Sequence, residues 1–124
     1  MQEQLRALIE QHCVSLRRIL SEVENCLAPE AGGGPGEANL DRALGLVHQI
    51  KGSSGSIGFG EVSQSAAMLE AQLKRLRDGE FEEAGDFSRD LSSSFDGLRN
   101  LVAGLTPRQS TLFDADLGHL AAQN

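Results

Sequence analysis

Apolar residues recur every three or four positions in four stretches of the chain, separated by segments rich in glycine, proline and charge. This spacing is typical of helices that bury one face. The first stretch predicts a helix over about residues 2–27. This helix ends at Pro29 and the neighbouring "EAGGGPG", and residues 28–37 are expected to form a flexible connection. The second predicts a helix over about 38–57, with Gly58 as a left-handed C-terminal cap.

The third and fourth stretches complete the pattern. The third ends at "RDGE" after Leu76, and the fourth begins near Phe87 and meets its stop signals at Gly104 and Pro107. Helix by helix, the positions expected to face inward are Leu5, Leu8, Ile9, His12, Leu16, Ile19, Val23 and Leu27; Leu40, Ala43, Val47, Ile50, Ser54 and Ile57; Val62, Ala66, Leu69, Leu73 and Leu76; and Phe87, Leu91, Phe95, Leu98, Val102 and Leu105.

Four one-sided helices joined by short turns must bury their apolar faces against one another. Since no stretch alternates as a strand would, the sequence predicts an all-α fold, an antiparallel up-down four-helix bundle over residues 1–105. The tail, 106–124, can form a short extra helix capped by Ser110, either docked on the bundle or mobile. Leu112 and Phe113 are expected to cover the end of the bundle.

Composition narrows the class of protein. The 124 residues carry a formal net charge of −7, which argues against non-specific binding to nucleic acid or to an anionic membrane. No apolar run approaches the roughly 20 residues of a membrane span, and the charged N-terminus is unlike a signal peptide, so we expect a cytoplasmic protein. Cys13 and Cys26 are expected to stay reduced, and no histidine or cysteine spacing indicates a metal site.

The second helix carries a bare surface around His48. The residues that share its face, three, four or seven positions away, are Asp41, Leu44, Gly45, Lys51, Gly52 and Gly55. Because the core stripe points elsewhere, we expect His48 to be exposed and Leu44 to be an exposed apolar contact for a partner. Three glycines on one helix face cost up to about 3 kcal/mol relative to alanine. We interpret Gly45, Gly52 and Gly55 as room for a macromolecule whose active site closes over the imidazole.

These residue types favour a phosphoryl acceptor. Imidazole is a competent nucleophile at neutral pH, and Lys51 can contact a phosphoryl dianion attached to His48. On the third helix, Glu70 shares a face with Ser63, Ala67, Lys74 and Arg77. A carboxylate that accepts a hydrogen bond from Nδ1–H would fix the tautomer and leave Nε2 free to attack. The alternative for Glu70 is a solvated side chain paired with Lys74. Ala67 and Lys74 are expected to contact the docked partner.

The run "HQIKGSSGSIG" resembles the signature of the histidine-containing phosphotransfer (HPt) domain, H-x-x-K-G followed by small residues and a later glycine. The matching residues are His48, Lys51, Gly52, Ser53, Ser54 and Gly58. "IKGSSGSIGF" is also similar to the phosphorylated N-terminal domain of chemotaxis-type histidine kinases. The resemblance implies phosphorylation of His48 on Nε2, exchange with an aspartate of a receiver domain, and a hydrogen bond from the other ring nitrogen to Glu70.

The resemblance further implies a phosphorelay protein rather than an enzyme, with no ATP site and no cofactor of its own. The expected partners are response-regulator receiver domains, which would hold the Mg²⁺, and a histidine kinase or hybrid kinase; the chain itself is expected to be a monomer. Two alternatives stay open: a domain excised from a chemotaxis-type kinase, and a pseudo-HPt adaptor that binds without phosphotransfer. The initiating methionine favours a free-standing protein, and the intact His48, Lys51 and Gly52 argue against the adaptor.

Overall fold

The computed structural model describes residues 2–27, 37–79 and 84–113. It contains four helices, α1 (Gln2–Leu27), α2 (Glu37–Ser56), α3 (Gly60–Asp78) and α4 (Ala84–Ala103), followed by a 3₁₀ helix at Pro107–Gln109. Within these ranges there is no strand, and the predicted all-α class is confirmed. Of the predicted connection at 28–37, residues 28–36 lie outside the described residues, as does the tail beyond 113, while Glu37 already belongs to α2. No helix of the described part is long and apolar enough to cross a membrane.

The helices pack as an antiparallel up-down bundle. His12, in the first half of α1, contacts Ser54 at the end of α2. Only the residues 57–59 separate α2 from α3, so the chain reverses there. After α4, the carbonyl oxygen of Leu105 accepts a hydrogen bond from Arg17 of α1, and the chain continues towards the start of α1. Neighbouring helices therefore run in opposite directions, as the sequence predicts.

One apolar core lies between the four helices. Leu16, Ile50, Leu69 and Leu98, one from each helix, are completely buried in it. The other buried apolar residues are Ile9, Cys13, Ile19, Leu20, Val23, Cys26, Leu40, Ala43, Leu44, Val47, Phe59, Val62, Ala66, Leu73, Val102 and Leu105. Both cysteines are buried and free. The inward assignment of Leu8 is wrong: its side chain is 55% exposed, since it lies about 100° around α1 from the buried Ile9.

The turn between α2 and α3 confirms the predicted cap. Gly58 has a φ of 91°, the left-handed region that favours glycine. The amide of Phe59 donates to the carbonyl of Ser54 at 2.8 Å, and the amide of Gly58 donates to the carbonyl of Gly55 at 3.4 Å. These two hydrogen bonds satisfy carbonyl groups at the C-terminus of α2, and the chain then turns into α3.

Residues 105–113 form a strap across this end of the bundle. The hydroxyl of Ser110, which is buried, donates to the carbonyl of Ile57 at 2.6 Å, and the amide of Thr111 donates to the carbonyl of Gly58 at 3.0 Å. A Cβ at Gly58 would lie 2.7 Å from the hydroxyl oxygens of Ser110 and of Thr111. Ser110 therefore ends the 3₁₀ helix and fastens it to the bundle. Its Oγ also accepts a hydrogen bond from the amide of Leu112 at 3.1 Å, as a cap would, while the helix predicted to follow it extends outside the described residues.

The strap also reaches the start of α1. Arg6 donates from Nε to the carbonyl of Phe113 at 3.2 Å, and its guanidinium lies 4.4 Å from the centre of the Phe113 ring. Leu112 and Phe113 pack half-buried against the core, which confirms that they cover the end of the bundle. Of the two possibilities for the tail, the docked one holds as far as residue 113.

Candidate functional site

His48 lies on the outer surface of α2, with 68% of its side chain exposed. Its Nδ1 is 2.7 Å from Oε2 of Glu70, which projects from α3 and is almost completely buried. An ionised carboxylate only accepts hydrogen bonds, so Nδ1 carries the proton and donates it to this contact. The Nε2 lone pair is then left on the solvent side of the ring. The expected contact between Glu70 and His48 is present.

The second oxygen of Glu70 is shared by two lysines. Nζ of Lys51, one helical turn after His48, donates to Oε1 at 2.7 Å, and Nζ of Lys74 lies 3.9 Å from the same atom. Glu70 therefore bridges His48 and Lys51 while also standing near Lys74. The alternative of a solvated glutamate paired with Lys74 is wrong about solvation, since only 7% of the side chain is exposed, and right about the neighbour.

The carboxyl of Glu70 is held in its ionised form. Burial raises its pKa, but hydrogen bonds from Lys51 and His48, together with the charges of Lys51 and Lys74, more than offset this and bring the pKa below its ordinary value. A carboxylate that stays ionised at neutral pH cannot donate to the imidazole. The electrostatics of the site thus select the Nδ1–H tautomer of His48.

Two of the three glycines on this face border open space. An added Cβ at Gly45 or at Gly52 would have no other atom within 4 Å, and neither residue has a positive φ. Neither packing nor backbone conformation thus requires glycine there. Gly55 is different, because a Cβ at that position would lie 3.2 Å from Oγ of Ser63. Gly55 thus lies close to α3, and because the residue is also exposed, its role as room for a partner stays a prediction.

Leu44 is also not where the sequence analysis expected it. It is buried, with 7% exposure, because it lies four residues after Leu40 and three before Val47 and so belongs to the core stripe of α2. It cannot be an exposed docking contact for a partner. On α3, Lys74 is 53% exposed and Ala67 is half-buried, and their contact with a partner stays a prediction.

His12 is a separate, structural histidine. Its Nε2 lies 3.2 Å from the hydroxyl oxygen of the buried Ser54, and its ring stacks on Phe59 with 5.8 Å between the ring centres. Burial lowers the pKa of its imidazole. The expectation that His12 faces inward is confirmed, and the residue lies at the edge of the core.

Sequence reasoning placed Ser63 on the face of Glu70 but assigned it no role. The hydroxyl of Ser63 donates to the carbonyl oxygen of Lys51 at 2.8 Å, which ties α3 to α2. A signal for it was available: Ser63 precedes Glu70 by seven residues, and Gly55 follows His48 by seven. In an antiparallel helix pair that contains the His48–Glu70 contact, this spacing brings Ser63 and Gly55 together.

Within the described residues, fold and site together define a helical protein that presents an exposed histidine held by a buried carboxylate. The family model of the Hpt domain matches residues 2–105, and the chain belongs to this family of phosphohistidine-carrying phosphotransfer domains of two-component signalling. The chemotaxis protein CheA of Halobacterium salinarum is 30% identical over 103 residues, which make up 82% of this chain but 14% of that protein. No solved structure gives a significant match.

Proposed function

We propose that His48 accepts a phosphoryl group on Nε2 and exchanges it with the aspartate of response-regulator receiver domains. The observation that carries the proposal is the geometry of the imidazole: it is mostly exposed, and its Nδ1 is bound at 2.7 Å to the buried Glu70. Only the other nitrogen then has a lone pair available for attack. We further propose that the chain acts as a monomer in the cytoplasm.

The exchange needs no further reagent from this chain. The Nε2 lone pair of His48 attacks the phosphorus of the receiver's aspartyl phosphate, the bond from phosphorus to the aspartate oxygen breaks, and the carboxylate leaves. The imidazole now has substituents on both nitrogens and a positive charge, which the carboxylate of Glu70 at 2.7 Å stabilises. The reverse transfer follows the same path. As the resemblance to HPt domains implies, the receiver holds the Mg²⁺.

Lys51 has two roles in this proposal. In the resting domain its ammonium donates to Glu70 at 2.7 Å and helps to keep that carboxyl ionised. Its side chain is one third exposed and lies one turn from His48, so it can turn towards a phosphoryl group on the ring. There the ammonium would form a charge-assisted hydrogen bond with a phosphoryl oxygen, while Lys74 remains beside Glu70.

Two labelling reactions test the proposal. The purified chain is incubated with a ³²P-labelled receiver domain in one reaction, and with a histidine kinase and labelled ATP in the other. We expect one phosphoryl group per chain, labile in acid and stable in base, as phosphohistidine is. His48→Gln should take up no label while its far-ultraviolet circular dichroism stays helical. Label retained by this variant would refute the assignment of His48.

The similarity to CheA supports a second candidate function, a phosphoacceptor domain that takes its phosphoryl group directly from a chemotaxis-type kinase. The same reactions separate the candidates. Fast labelling by the ATP-binding domain of such a kinase, with slow labelling from phosphorylated receivers, supports the kinase-domain function. Stable binding to a receiver or kinase with no label in either reaction supports the adaptor that binds without phosphotransfer.

A further inference from the structure

The seam between α2 and α3 carries two contacts spaced by the same seven residues on each helix. His48 contacts Glu70, and Gly55, seven residues later on α2, lies beside Ser63, seven residues earlier on α3. Seven residues are about two helical turns, or roughly 10 Å along the axis. Both contacts therefore lie along the same seam of the helix pair, about two turns apart.

Ser63 and Gly55 form a close contact between the two helices. The Ser63 hydroxyl crosses from α3 to donate to the carbonyl oxygen of Lys51 at 2.8 Å. It passes directly beside Gly55, where an added Cβ would lie 3.2 Å from Oγ and 3.7 Å from Cβ of Ser63. The first distance is tighter than most contacts of a Cβ, and the second is an ordinary one. An alanine at position 55 would therefore push the Ser63 hydroxyl away by a few tenths of an ångström.

We propose that Ser63 is a positioning residue for His48: its hydrogen bond to Lys51, admitted by Gly55, sets the spacing of α3 from α2 that brings Glu70 within 2.7 Å of Nδ1. The part of this inference that concerns the rate of phosphotransfer rests on the proposed function. The part that concerns the imidazole itself does not, since the tautomer of His48 exists in the unphosphorylated domain.

Glu70 is sensitive to such spacing because both of its oxygens are engaged. It accepts from His48 and from Lys51 at 2.7 Å each, and both donors project from α2. If α3 moves away by a few tenths of an ångström, the carboxylate cannot keep both contacts short. The exposed imidazole then exchanges its hydrogen bond to Glu70 for one to water, and the preference for Nδ1–H weakens.

Ring ¹⁵N chemical shifts of His48 measure the ratio of the Nδ1–H to the Nε2–H tautomer without any phosphorylation. We expect Ser63→Ala to lower this ratio about fivefold, the effect of weakening one typical hydrogen bond. Gly55→Ala should lower it by a similar factor, because its Cβ displaces the Ser63 hydroxyl. The double variant should also lower the ratio about fivefold, and not by the product of the two single effects. With no hydroxyl at position 63, the nearest atom to the new Cβ at position 55 is the Cβ of residue 63, at an ordinary distance of 3.7 Å.

Ser53→Ala is the matched control. The Ser53 hydroxyl also donates to a carbonyl of α2, that of Gln49 at 2.7 Å, but it lies within one helix and is exposed. It should leave the tautomer ratio unchanged. Thermal melts of all four variants show whether each is folded at the temperature of the measurement, and the mild Ser63→Ala variant keeps the test available if Gly55→Ala unfolds.

The inference is overturned if Ser63→Ala gives the same tautomer ratio as Ser53→Ala, or if the double variant shows the full product of the single effects. Transfer rates from a phosphorylated receiver are measured on the same samples and should fall in the order of the tautomer ratios. If no variant and no parent chain takes up label, the proposed function fails, while the tautomer ratios still decide the role of Ser63.

Discussion

Gly52 offers the sharpest test of why the surface around His48 is bare. The residue lies inside α2, is exposed, and has no positive φ, and an added Cβ would have no other atom within 4 Å. Alanine therefore fits without strain. Replacing an exposed glycine inside a helix by alanine raises the free energy of unfolding by up to about 1 kcal/mol. For a domain of this size this corresponds to a melting temperature higher by roughly 4 °C.

Phosphotransfer should change in the opposite direction. Gly52 lies one turn after His48 on the same face, so a side chain there occupies the space over which a receiver must close. Misplacement of reacting groups by about 1 Å can cost on the order of a hundredfold in rate. A methyl group allows the partner to adjust in part, so we expect Gly52→Ala to transfer about tenfold more slowly and Gly52→Gln about a hundredfold.

Gly97→Ala is a matched control. Gly97 lies inside α4, is exposed, has no positive φ, and an added Cβ there also meets no atom within 4 Å. The two alanine variants should gain similar stability in thermal melts followed by circular dichroism. In rapid-quench transfer from a labelled receiver, only Gly52→Ala should be slowed.

Two results would refute this reasoning. If Gly52→Ala transfers as fast as Gly97→Ala, the bare surface does not serve the approach of a partner. If Gly52→Ala melts at a lower temperature than the parent chain, glycine is required by the backbone of α2 and the absence of a side chain has a structural cause.

Three further predictions follow from the contacts of the site and of the strap. Folding lowers the pKa of Glu70 below its ordinary value of 4.5. The ionised carboxylate therefore stabilises the fold fully above pH 4.5, and this stabilisation is lost as the pH falls through the lower pKa of the folded chain. In urea titrations, the difference in unfolding free energy between the parent chain and Glu70→Gln should shrink as the pH falls below 4.5. Lys51→Ala should shorten the lifetime of phosphorylated His48 about tenfold, measured as release of label, because the phosphoryl group loses a charge-assisted hydrogen bond. Ser110→Ala should lower the free energy of unfolding by about 1–2 kcal/mol in urea denaturation, because the carbonyl of Ile57 loses its 2.6 Å donor.

Each of these has an outcome that contradicts it. A constant difference between parent and Glu70→Gln at every pH would mean that the carboxyl titrates alike in the folded and unfolded chain. An unchanged phosphohistidine lifetime in Lys51→Ala would mean that the Lys51 ammonium contacts Glu70 but does not stabilise the phosphoryl group. For the strap, Ser93→Ala removes an exposed hydroxyl from α4 and is the control; equal effects of the two serine variants would count against the strap contact.

The fold was predictable because buried positions repeat with the period of an α-helix. The errors concern residues at the edge of an apolar stripe, where the period does not decide whether a side chain is buried. Leu8 and Leu44 both stand at the border of an apolar stripe. One turned out exposed and the other buried. Successive residues are about 100° apart on a helix, so a border position faces solvent or core according to where the neighbouring helix lies. The location of the neighbouring helix is set by packing between helices, and the hydrophobic pattern of one helix does not contain it.

The candidate site was predictable to a similar depth. The spacing of His48, Lys51 and Gly52 on one helix indicated the chemistry, and Glu70 lay on a suitable face of α3. The partner of Lys51 was not predictable, because its long flexible side chain can reach either a phosphoryl group on His48 or the carboxylate of Glu70. In the resting domain the Lys51 ammonium is bound to Glu70. The role of Gly55 depends on Ser63 of another helix, and only the register between the helices brings the two together.

The strap described above also bears on the order in which the molecule assembles. The His48–Glu70 contact joins residues 22 positions apart, within a single helical hairpin, whereas the contact of Arg6 with Phe113 spans 107 positions. Closing a short loop costs less conformational entropy than closing a long one, so contacts between near residues form first. During synthesis, the α2–α3 hairpin leaves the ribosome before the strap does. The part of the chain that carries the candidate chemistry can therefore be in place while this end of the bundle is still open, and residues 105–113 then close over the turn between α2 and α3.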